Sequence, residues 1–271
     1  MIRVLRQLPV FFWRDLAIAS TYRTAFVFEA VEALFGAATF YYVARFVDSP
    51  ELQRSLKNGT TYFAFSLIGF AFLDYLGAAL DAFDRSIEEA RNSGTLEHIL
   101  VTQTSLPVFL AGSAMYPFVA SAFRIGVYIF WGVVLFGFSV RSANWAGVAA
   151  VLLASLLAFS GLGILSAAYV LIFKRGNPGK WLLLGISGIV GGTLFPVSVL
   201  PRWLQWVARI TPITYSLDAM RAALTEGAGL ASLWRLLATL LLFAAVLLPV
   251  SVAAFGWALR RTKETGTLAH S

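Results

Sequence analysis

Long blocks of the chain contain no charged residue, and their length sets the first expectation. Residues 142–173, 181–201 and 236–259 contain no Asp, Glu, Lys or Arg. Each block reaches or exceeds the roughly 20 apolar residues that a helix needs to cross the hydrocarbon core of a bilayer. The pattern therefore predicts a polytopic membrane protein.

Shorter apolar segments complete a set of six predicted membrane helices in a single all-α domain over residues 1–271. The helices are expected at residues 24–44, 62–82, 110–140, 145–173, 181–200 and 232–259. An even number of spans places both termini on the same side of the membrane.

Two further segments are predicted to be helical without spanning. Residues 1–23 place apolar side chains on one helical side and Arg3, Gln7 and Arg14 on the other, which is typical of a helix that lies in the membrane interface. Residues 201–231 are too long for a turn, so we expect short interfacial or re-entrant helices there, buried against protein where their backbone groups can be satisfied.

Composition and charge agree with a membrane protein. Hydrophobic residues make up 59% of the chain and charged residues 13%, against about 25% charged in an average soluble domain. The net charge of +7 arises from Lys and Arg near the span ends rather than from a contiguous basic face, which disfavours nucleic-acid binding. These basic residues favour the predicted inside segments, twelve against eight, so we expect cytoplasmic termini in the cell inner membrane.

The residues that usually carry metal or nucleophilic chemistry are scarce. The chain has no Cys, and His98 and His270 are its two histidines, so we expect no metal site, zinc site or Ser-His-Asp triad. Residues 174–181, KRGNPGKW, lack the first Gly and the Ser or Thr of a phosphate-binding loop. The chain is therefore expected to bind no cofactor itself and not to be an enzyme, with an integral-membrane enzyme or a scaffold as lesser alternatives.

Four charged residues within the predicted spans form an expected intramembrane layer: Glu29, Glu32, Asp74 and Arg124. Charges at membrane depth are costly and need a partner, a water-filled cavity or a route to the interface. At about 1.5 Å per residue, Arg124, Glu32 and Asp74 lie roughly 10 to 12 Å from the cytoplasmic boundary. We therefore expect Arg124 to pair with one of the three acids. A structural ion-pair cluster or simple snorkelling is favoured, with a gate or a proton-coupled site as the alternative.

Two segments resemble the permease subunits of ATP-binding-cassette transporters of the type-2 family. Residues 89–104, EARNSGTLEHILVTQT, resemble the cytoplasmic elbow that follows the family's second helix, although Gln103 stands where the family often has Pro. Residues 191–224, GGTLFPVSVLPRWLQWVARITPITYSLDAMRAAL, are similar to the family signature around the outer end of the fifth helix. Pro212, Tyr215 and Arg221 are among the residues that carry this second match.

The resemblance implies the partners and the energy source. It implies a dimer of six-helix permeases, with a homodimer favoured, around a path lined by the first, second and fifth helices. Two copies of a separate ATPase subunit would bind ATP and magnesium. Within the cytoplasmic connection, residues 83–106, the resemblance implies a coupling helix that docks on the ATPase, with these candidate interface residues: Glu88, Glu89, Arg91, Gly94, Leu96 and Glu97.

The expected function is export of a hydrophobic or amphipathic compound, such as a drug or a lipid. Tyr41, Tyr42 and Phe195 near the predicted outer end are candidates for the translocation path. Aromatic rings there also suit stacking on the sugars of a lipid-linked glycan, so a polysaccharide permease is the alternative. The same residues suit an aromatic belt at the membrane surface, in contact with lipid.

Overall fold

The computed structural model describes residues 2–47, 61–92, 106–173 and 177–264. The regular structure in these ranges is entirely helical. In chain order it consists of α1 Ile2–Thr21, α2 Arg23–Val47, α3 Tyr62–Asn92, α4 Leu106–Phe136, α5 Trp145–Phe173, α6 Pro178–Val190, the 3-10 turn Val197–Val199, α7 Arg202–Arg209, α8 Pro212–Thr225 and α9 Leu230–Glu264.

Five of the described helices are long and apolar enough to cross a membrane. The apolar segments are Phe26–Val47, Tyr62–Glu89, Leu110–Phe136, Trp145–Phe173 and Leu230–Thr262. They overlap five of the six predicted spans, and α5 begins and ends where the sequence predicts. The chain is therefore a multi-pass membrane protein, and the part of it that the structure describes is all-helical.

The predicted span over residues 181–200 is wrong as one continuous helix. α6 ends at Val190 after 13 residues, which is about 20 Å at 1.5 Å per residue and short of a core roughly 30 Å thick. Gly191 caps the helix, and Gly192 adopts a φ of +83°, the left-handed conformation that commonly ends helices. Residues 193–200 then form bends and the 3-10 turn, so the described residues contain five candidate spans instead of six.

α3 and α5 form the centre of the bundle. α9 runs along α5, while α3 packs against both α4 and α5. Leu67, Phe72 and Leu76 of α3 are fully buried, and the Tyr75 hydroxyl donates a hydrogen bond to the Leu152 carbonyl of α5 at 3.3 Å. The central position of α3 matters because its last turns lead into the predicted coupling segment.

α1 and α2 lie at the edge of the bundle. The Phe12 ring of α1 contacts the Tyr116 ring of α4 at a centroid distance of 6.3 Å, and α1 continues through Pro9 without ending. The Trp131 indole of α4 donates to the Ala30 carbonyl of α2 at 3.0 Å. Much of α2 remains exposed and apolar, so this helix offers a surface to lipid or to another membrane subunit.

Residues 201–231 contain two short helices with opposite environments. α8 packs among α3, α5 and α9 and is almost completely buried. The Ser155 hydroxyl of α5 donates to the Ser216 hydroxyl of α8 at 2.8 Å. α7 instead lies at the surface with Trp203 and Trp206 exposed. The burial against protein that we expected for the short helices is found for α8. It is not found for α7, whose Trp203 and Trp206 face outward.

Candidate functional site

A cleft of about 520 Å³ opens between α2, α3, α4 and α6. More of the lining residues come from α3 than from any other helix. They run from Phe70 to Arg85 at helical spacing, which places their side chains on one face of α3. Phe70, Leu73, Trp181 and Leu184 provide apolar surface. Six charged side chains also line the cleft: Glu29, Asp74, Asp81, Arg85, Arg124 and Lys180. The cleft has the size typical of small-molecule sites, but its lining is more strongly charged than is usual for them.

Arg124 of α4 and Asp74 of α3 form an ion pair across the cleft. Arg124 Nε lies 3.4 Å from Asp74 Oδ2, and both side chains are mostly shielded. Neither of these two atoms has a hydrogen-bond partner among the described residues, so the pair is held by charge rather than by an aligned hydrogen bond. The sequence left three partners open for Arg124: Glu29, Glu32 and Asp74. In the structure the partner is Asp74.

The structure separates the two glutamates of α2. Glu29 lines the cleft, whereas Glu32, almost one helical turn further along, is exposed and does not line it. The predicted charge layer is therefore brought together in part, with Glu29, Asp74 and Arg124 around one cleft and Glu32 outside it.

A second group of charges lies at the end of the cleft nearest the predicted cytoplasmic connection. Asp81 of α3 forms an ion pair with Lys180 of α6, and its other oxygen lies 3.8 Å from Arg85 Nη2. From the sequence, Lys180 belongs to a short basic segment between two predicted spans. In the structure, Lys180 lies in α6, and its ion pair with Asp81 connects α6 to α3. Asp81 is thus shared by two cations.

Asp84 belongs to a buried polar cluster that the sequence does not reveal. It was expected in the cytoplasmic connection over residues 83–106, but α3 continues to Asn92 and Asp84 is only 6% exposed. Asp84 Oδ2 accepts hydrogen bonds from Ser166 Oγ at 3.0 Å and from Asn177 Nδ2 at 2.9 Å. Asn177 Oδ1 in turn accepts from the Lys180 backbone N–H at 2.9 Å and caps α6. The Asn177–Pro178 pair is the available sequence signal, since Asn at the cap and Pro at the first helical position commonly begin a helix.

The candidate coupling residues lie at the end of α3 or beyond it. Glu88 and Glu89 are exposed on its last turns, and Arg91 belongs to the same helix. Gly94, Leu96 and Glu97 lie outside the described residues. α3 therefore connects the cleft directly to the segment for which the coupling role is expected.

The three aromatic residues expected in the translocation path do not share one cavity. Tyr41 packs against Phe136 and Phe63, at ring-centroid distances of 4.8 and 5.6 Å, and lines a second cavity of about 350 Å³. Tyr42 is exposed, and Phe195 lies exposed in the segment after α6. Neither Tyr42 nor Phe195 lines the cavity that contains Tyr41.

Arg221 of α8 joins three parts of the chain at the opposite end of the bundle. Its Nη2 donates to the Phe65 carbonyl at 2.8 Å and to the Thr193 carbonyl at 3.3 Å. The guanidinium carbon also lies 3.4 Å from the centroid of the Phe65 ring. Burial lowers the pKa of Arg221 to about 9, while the Asp218 carboxylate raises it, so the group stays charged at neutral pH. The sequence identifies Arg221 as a signature residue but not these partners.

The acidic residues of the cleft are not arranged as a metal site. In the described part of the chain, no group of three or more His, Cys, Asp or Glu residues could hold a metal ion. Asp74 and Asp81 instead face basic side chains.

Two curated proteins of Bacillus subtilis (strain 168) are similar to this chain. The linearmycin resistance permease protein LnrN is 26% identical over 202 residues, which cover 73% of this chain and 50% of LnrN. The uncharacterized protein YhgE is 31% identical over 110 residues, which cover 39% of this chain and 14% of YhgE. The chain thus spans about half the length of LnrN and a smaller share of YhgE.

The family match is more extensive than either of these similarities. Residues 6–225 match the ABC-2 type transporter family, a stretch that runs from α1 to the end of α8. This match includes both segments on which the sequence resemblance rests. The chain belongs to the ABC-2 type transporter family.

Proposed function

We propose that this chain is the membrane permease subunit of an ATP-driven exporter for a hydrophobic or amphipathic compound. The cleft between α2, α3, α4 and α6 is the observation that carries the proposal. Asp81 and Arg85 lie near the end of α3, while Phe70 and Leu73 lie several turns deeper, next to the ion pair between Asp74 and Arg124. An amphipathic compound would match this arrangement, with its polar group near Asp81 and Arg85 and its apolar part near Phe70.

The energy would come from a separate ATPase, as is normal for members of this family. We propose two ATPase copies that bind ATP and magnesium and dock on the segment from Glu88 to Glu97. Closure of the ATPase dimer on ATP would displace the end of α3. Two contacts would pass this displacement to α6: the ion pair between Asp81 and Lys180 and the hydrogen bond between Asp84 and Asn177. The cleft lies between these helices, so its width would change with the nucleotide state.

A second copy of the permease would complete the translocation path. Much of the apolar surface of α2 is exposed, with Phe28 at 72% and Phe35 at 68%. The carboxylate of Glu32 lies on the same helix and is also exposed. An acidic group among apolar residues suits a protein interface better than lipid, because a charge facing lipid is costly. We therefore propose a homodimer that includes α2 in its contact.

The proposed orientation places both termini in the cytoplasm, within the inner membrane. Two segments predicted to be inside, around Asp84 and Asn177, meet at one end of the bundle. Two segments predicted to be outside meet elsewhere, where the Ser142 hydroxyl donates to the Thr225 carbonyl at 2.9 Å. These contacts support the proposed orientation, in which successive connections between spans lie on opposite sides of the membrane.

A lipid-linked glycan is the second candidate substrate. Trp203 and Trp206 are exposed on α7, 67% and 66% respectively, and such rings can stack on sugars. The name of LnrN refers to resistance to linearmycin, which favours a drug-like compound instead. We therefore rank the amphipathic compound first.

The proposal is tested by transport in membrane vesicles. The chain is co-expressed with the ATPase encoded nearest to it, and inverted vesicles are supplied with ATP and a fluorescent amphiphile. Accumulation should require ATP and both subunits, and should be lost when the phosphate-loop Lys of the ATPase is replaced by Ala. Failure of every tested ATPase to copurify, or accumulation without ATP, would refute the proposal. Loss of a surface glycan in a deletion strain, without change in amphiphile export, would favour the second candidate.

A further inference from the structure

The charges that line the cleft are unevenly paired. Arg124 faces Asp74, and Asp81 is shared between Lys180 and Arg85. Among the residues that the structure describes, Glu29 forms neither an ion pair nor a side-chain hydrogen bond. Among the described residues, Glu29 is therefore the one acidic group of the cleft that has no Lys or Arg nitrogen within 4.0 Å of its carboxylate.

Glu29 lies where the head of an amphipathic molecule would be placed. It is three residues inside the candidate span that begins at Phe26, about 5 Å along a helix axis at 1.5 Å per residue. The side chain is half-buried and lines the cleft rather than the open surface of α2. A carboxylate at this depth gains from a nearby positive charge, because water is scarce around it.

The walls near Glu29 suit a cation that also carries apolar groups. Tyr116 and Trp181 line the same cleft, and the faces of aromatic rings attract organic cations. Phe70 and Leu73 extend the apolar lining along α3, away from Asp81 and Arg85. The cleft thus combines a free carboxylate, aromatic rings and an apolar extension within about 520 Å³.

From these features we infer that the cleft binds a lipophilic cation, with Glu29 as the counter-charge of its positive group. This inference rests on the proposed function, because it names the charge class of the compound that the same cleft would pass. An anion is disfavoured at this position because Arg124 and Lys180, two cations of the cleft, are already paired with Asp74 and Asp81. Arg85 lies at the mouth and is 74% exposed, where water weakens its attraction for a ligand.

Two probes of opposite charge and nearly equal shape test the inference directly. Tetraphenylphosphonium and tetraphenylborate each carry four phenyl rings, so their apolar surfaces match and their charges differ in sign. The full chain is placed in nanodiscs of phosphatidylcholine, and binding of each radiolabelled probe is measured by equilibrium dialysis, with empty nanodiscs subtracted. Saturable binding is expected for tetraphenylphosphonium and not for tetraphenylborate.

Variants on α2 provide a matched comparison. Glu29→Gln should weaken tetraphenylphosphonium binding about tenfold, which corresponds to about 1.4 kcal/mol, and Glu29→Asp should retain most of the affinity. Glu32→Gln removes the same charge from the same helix outside the cleft and should weaken binding less than Glu29→Gln does. Should Glu29→Gln fail to fold, Ala120→Lys gives a second test, because it adds a fixed cation to the cleft lining and should lower the affinity without altering Glu29.

Three results would overturn the inference. They are equal saturable binding of the two probes, no saturable binding of tetraphenylphosphonium, and the same loss in Glu32→Gln as in Glu29→Gln. Binding is measured without ATP, so it is separate from the transport assay. ATP-dependent export of a neutral amphiphile together with no cation selectivity would refute the inference and leave the proposed function intact.

Discussion

Gly69 of α3 lies directly against the Thr193 carbonyl, so closely that a Cβ added to Gly69 would come within 2.0 Å of that oxygen. Any larger side chain would have to move the backbone of the segment after α6. Gly69→Ala should therefore lower stability by about 1 to 3 kcal/mol, the usual range for overpacking. Thermal unfolding of the detergent-purified protein measures this effect.

Gly126→Ala is the matched control for Gly69→Ala. Gly126 also lies within a helix that spans, but a Cβ added there meets no atom within 4 Å. The change should be neutral or raise stability by up to about 1 kcal/mol, because Ala favours helix more than Gly does. Equal melting temperatures for the two variants would show that the contact with Thr193 has no energetic importance.

Arg221 fixes the same region from the other side. Arg221→Lys keeps the charge but loses the planar guanidinium that reaches two carbonyls and lies over the Phe65 ring. Stability should fall by about 1.5 to 3 kcal/mol, the range for hydrogen bonds made by charged groups. Arg209→Lys, at an exposed site on α7, should cost much less. Similar unfolding temperatures for Arg221→Lys and wild type would contradict the role of the guanidinium.

Helix positions follow from the sequence wherever an apolar run continues unbroken, as α5 shows. The run over residues 181–200 also lacks charged residues, but Gly and Pro interrupt it and the helix stops at Val190. Hydropathy measures the transfer of side chains to lipid and says nothing of backbone conformation. Gly191, Gly192 and Pro196 were the local signals for an end, because they permit or require a backbone that leaves the helix.

From the sequence, only one property of the candidate site could be predicted: the membrane depth of each charged residue, which follows from its position along a helix. Arg124 and Asp74 fall at similar distances from the same boundary, so their pairing was one of three possibilities. Asp84 could not be recognised, because its partners Ser166 and Asn177 lie 82 and 93 residues away. The uneven pairing around Glu29 likewise depends on which helix faces rotate toward the cleft, and this is decided by packing across the whole bundle.

The ion pair between Arg124 and Asp74 is expected to be needed for folding or transport. Arg124→Glu would place two acids together near the cleft, and an unpaired charge at membrane depth costs about 2.5 to 3.5 kcal/mol at the helix centre. Expression level and transport should both fall. Combining Arg124→Glu with Asp74→Arg should restore part of each, because opposite charges again face one another.

Glu32→Arg is the comparison for this rescue. Glu32 is exposed outside the cleft, so Arg124→Glu with Glu32→Arg should recover less than the exchange with Asp74 does. Unchanged expression, stability and transport in Arg124→Ala would contradict any importance of the pair.

The hydroxyl of Ser166 should contribute more to stability than that of Ser160 on the same helix. Ser166 Oγ donates to the buried Asp84 carboxylate, whereas Ser160 Oγ bonds within its own helix to the Leu156 carbonyl. Ser166→Ala removes a donor from a buried acid and should cost about 1.5 to 3 kcal/mol. Ser160→Ala should stay near wild type when thermal unfolding is compared. A larger loss for Ser160→Ala would contradict the importance of the cluster around Asp84.

The coupling segment gives the last prediction, on residues outside those that the structure describes. α3 carries exposed Glu88 and Glu89 to its end at Asn92, and the sequence then continues with Gly94, Leu96 and Glu97. Interfaces commonly combine a small apolar centre with a polar rim, so Leu96 is expected to contact the ATPase while the charged residues surround it. Leu96→Asp should release the ATPase or separate ATP hydrolysis from transport, yet leave a permease that elutes as wild type in size-exclusion chromatography. Gln103→Ala, further along the same segment, should leave both properties intact. Normal copurification together with normal transport in Leu96→Asp would show that another surface couples the two subunits.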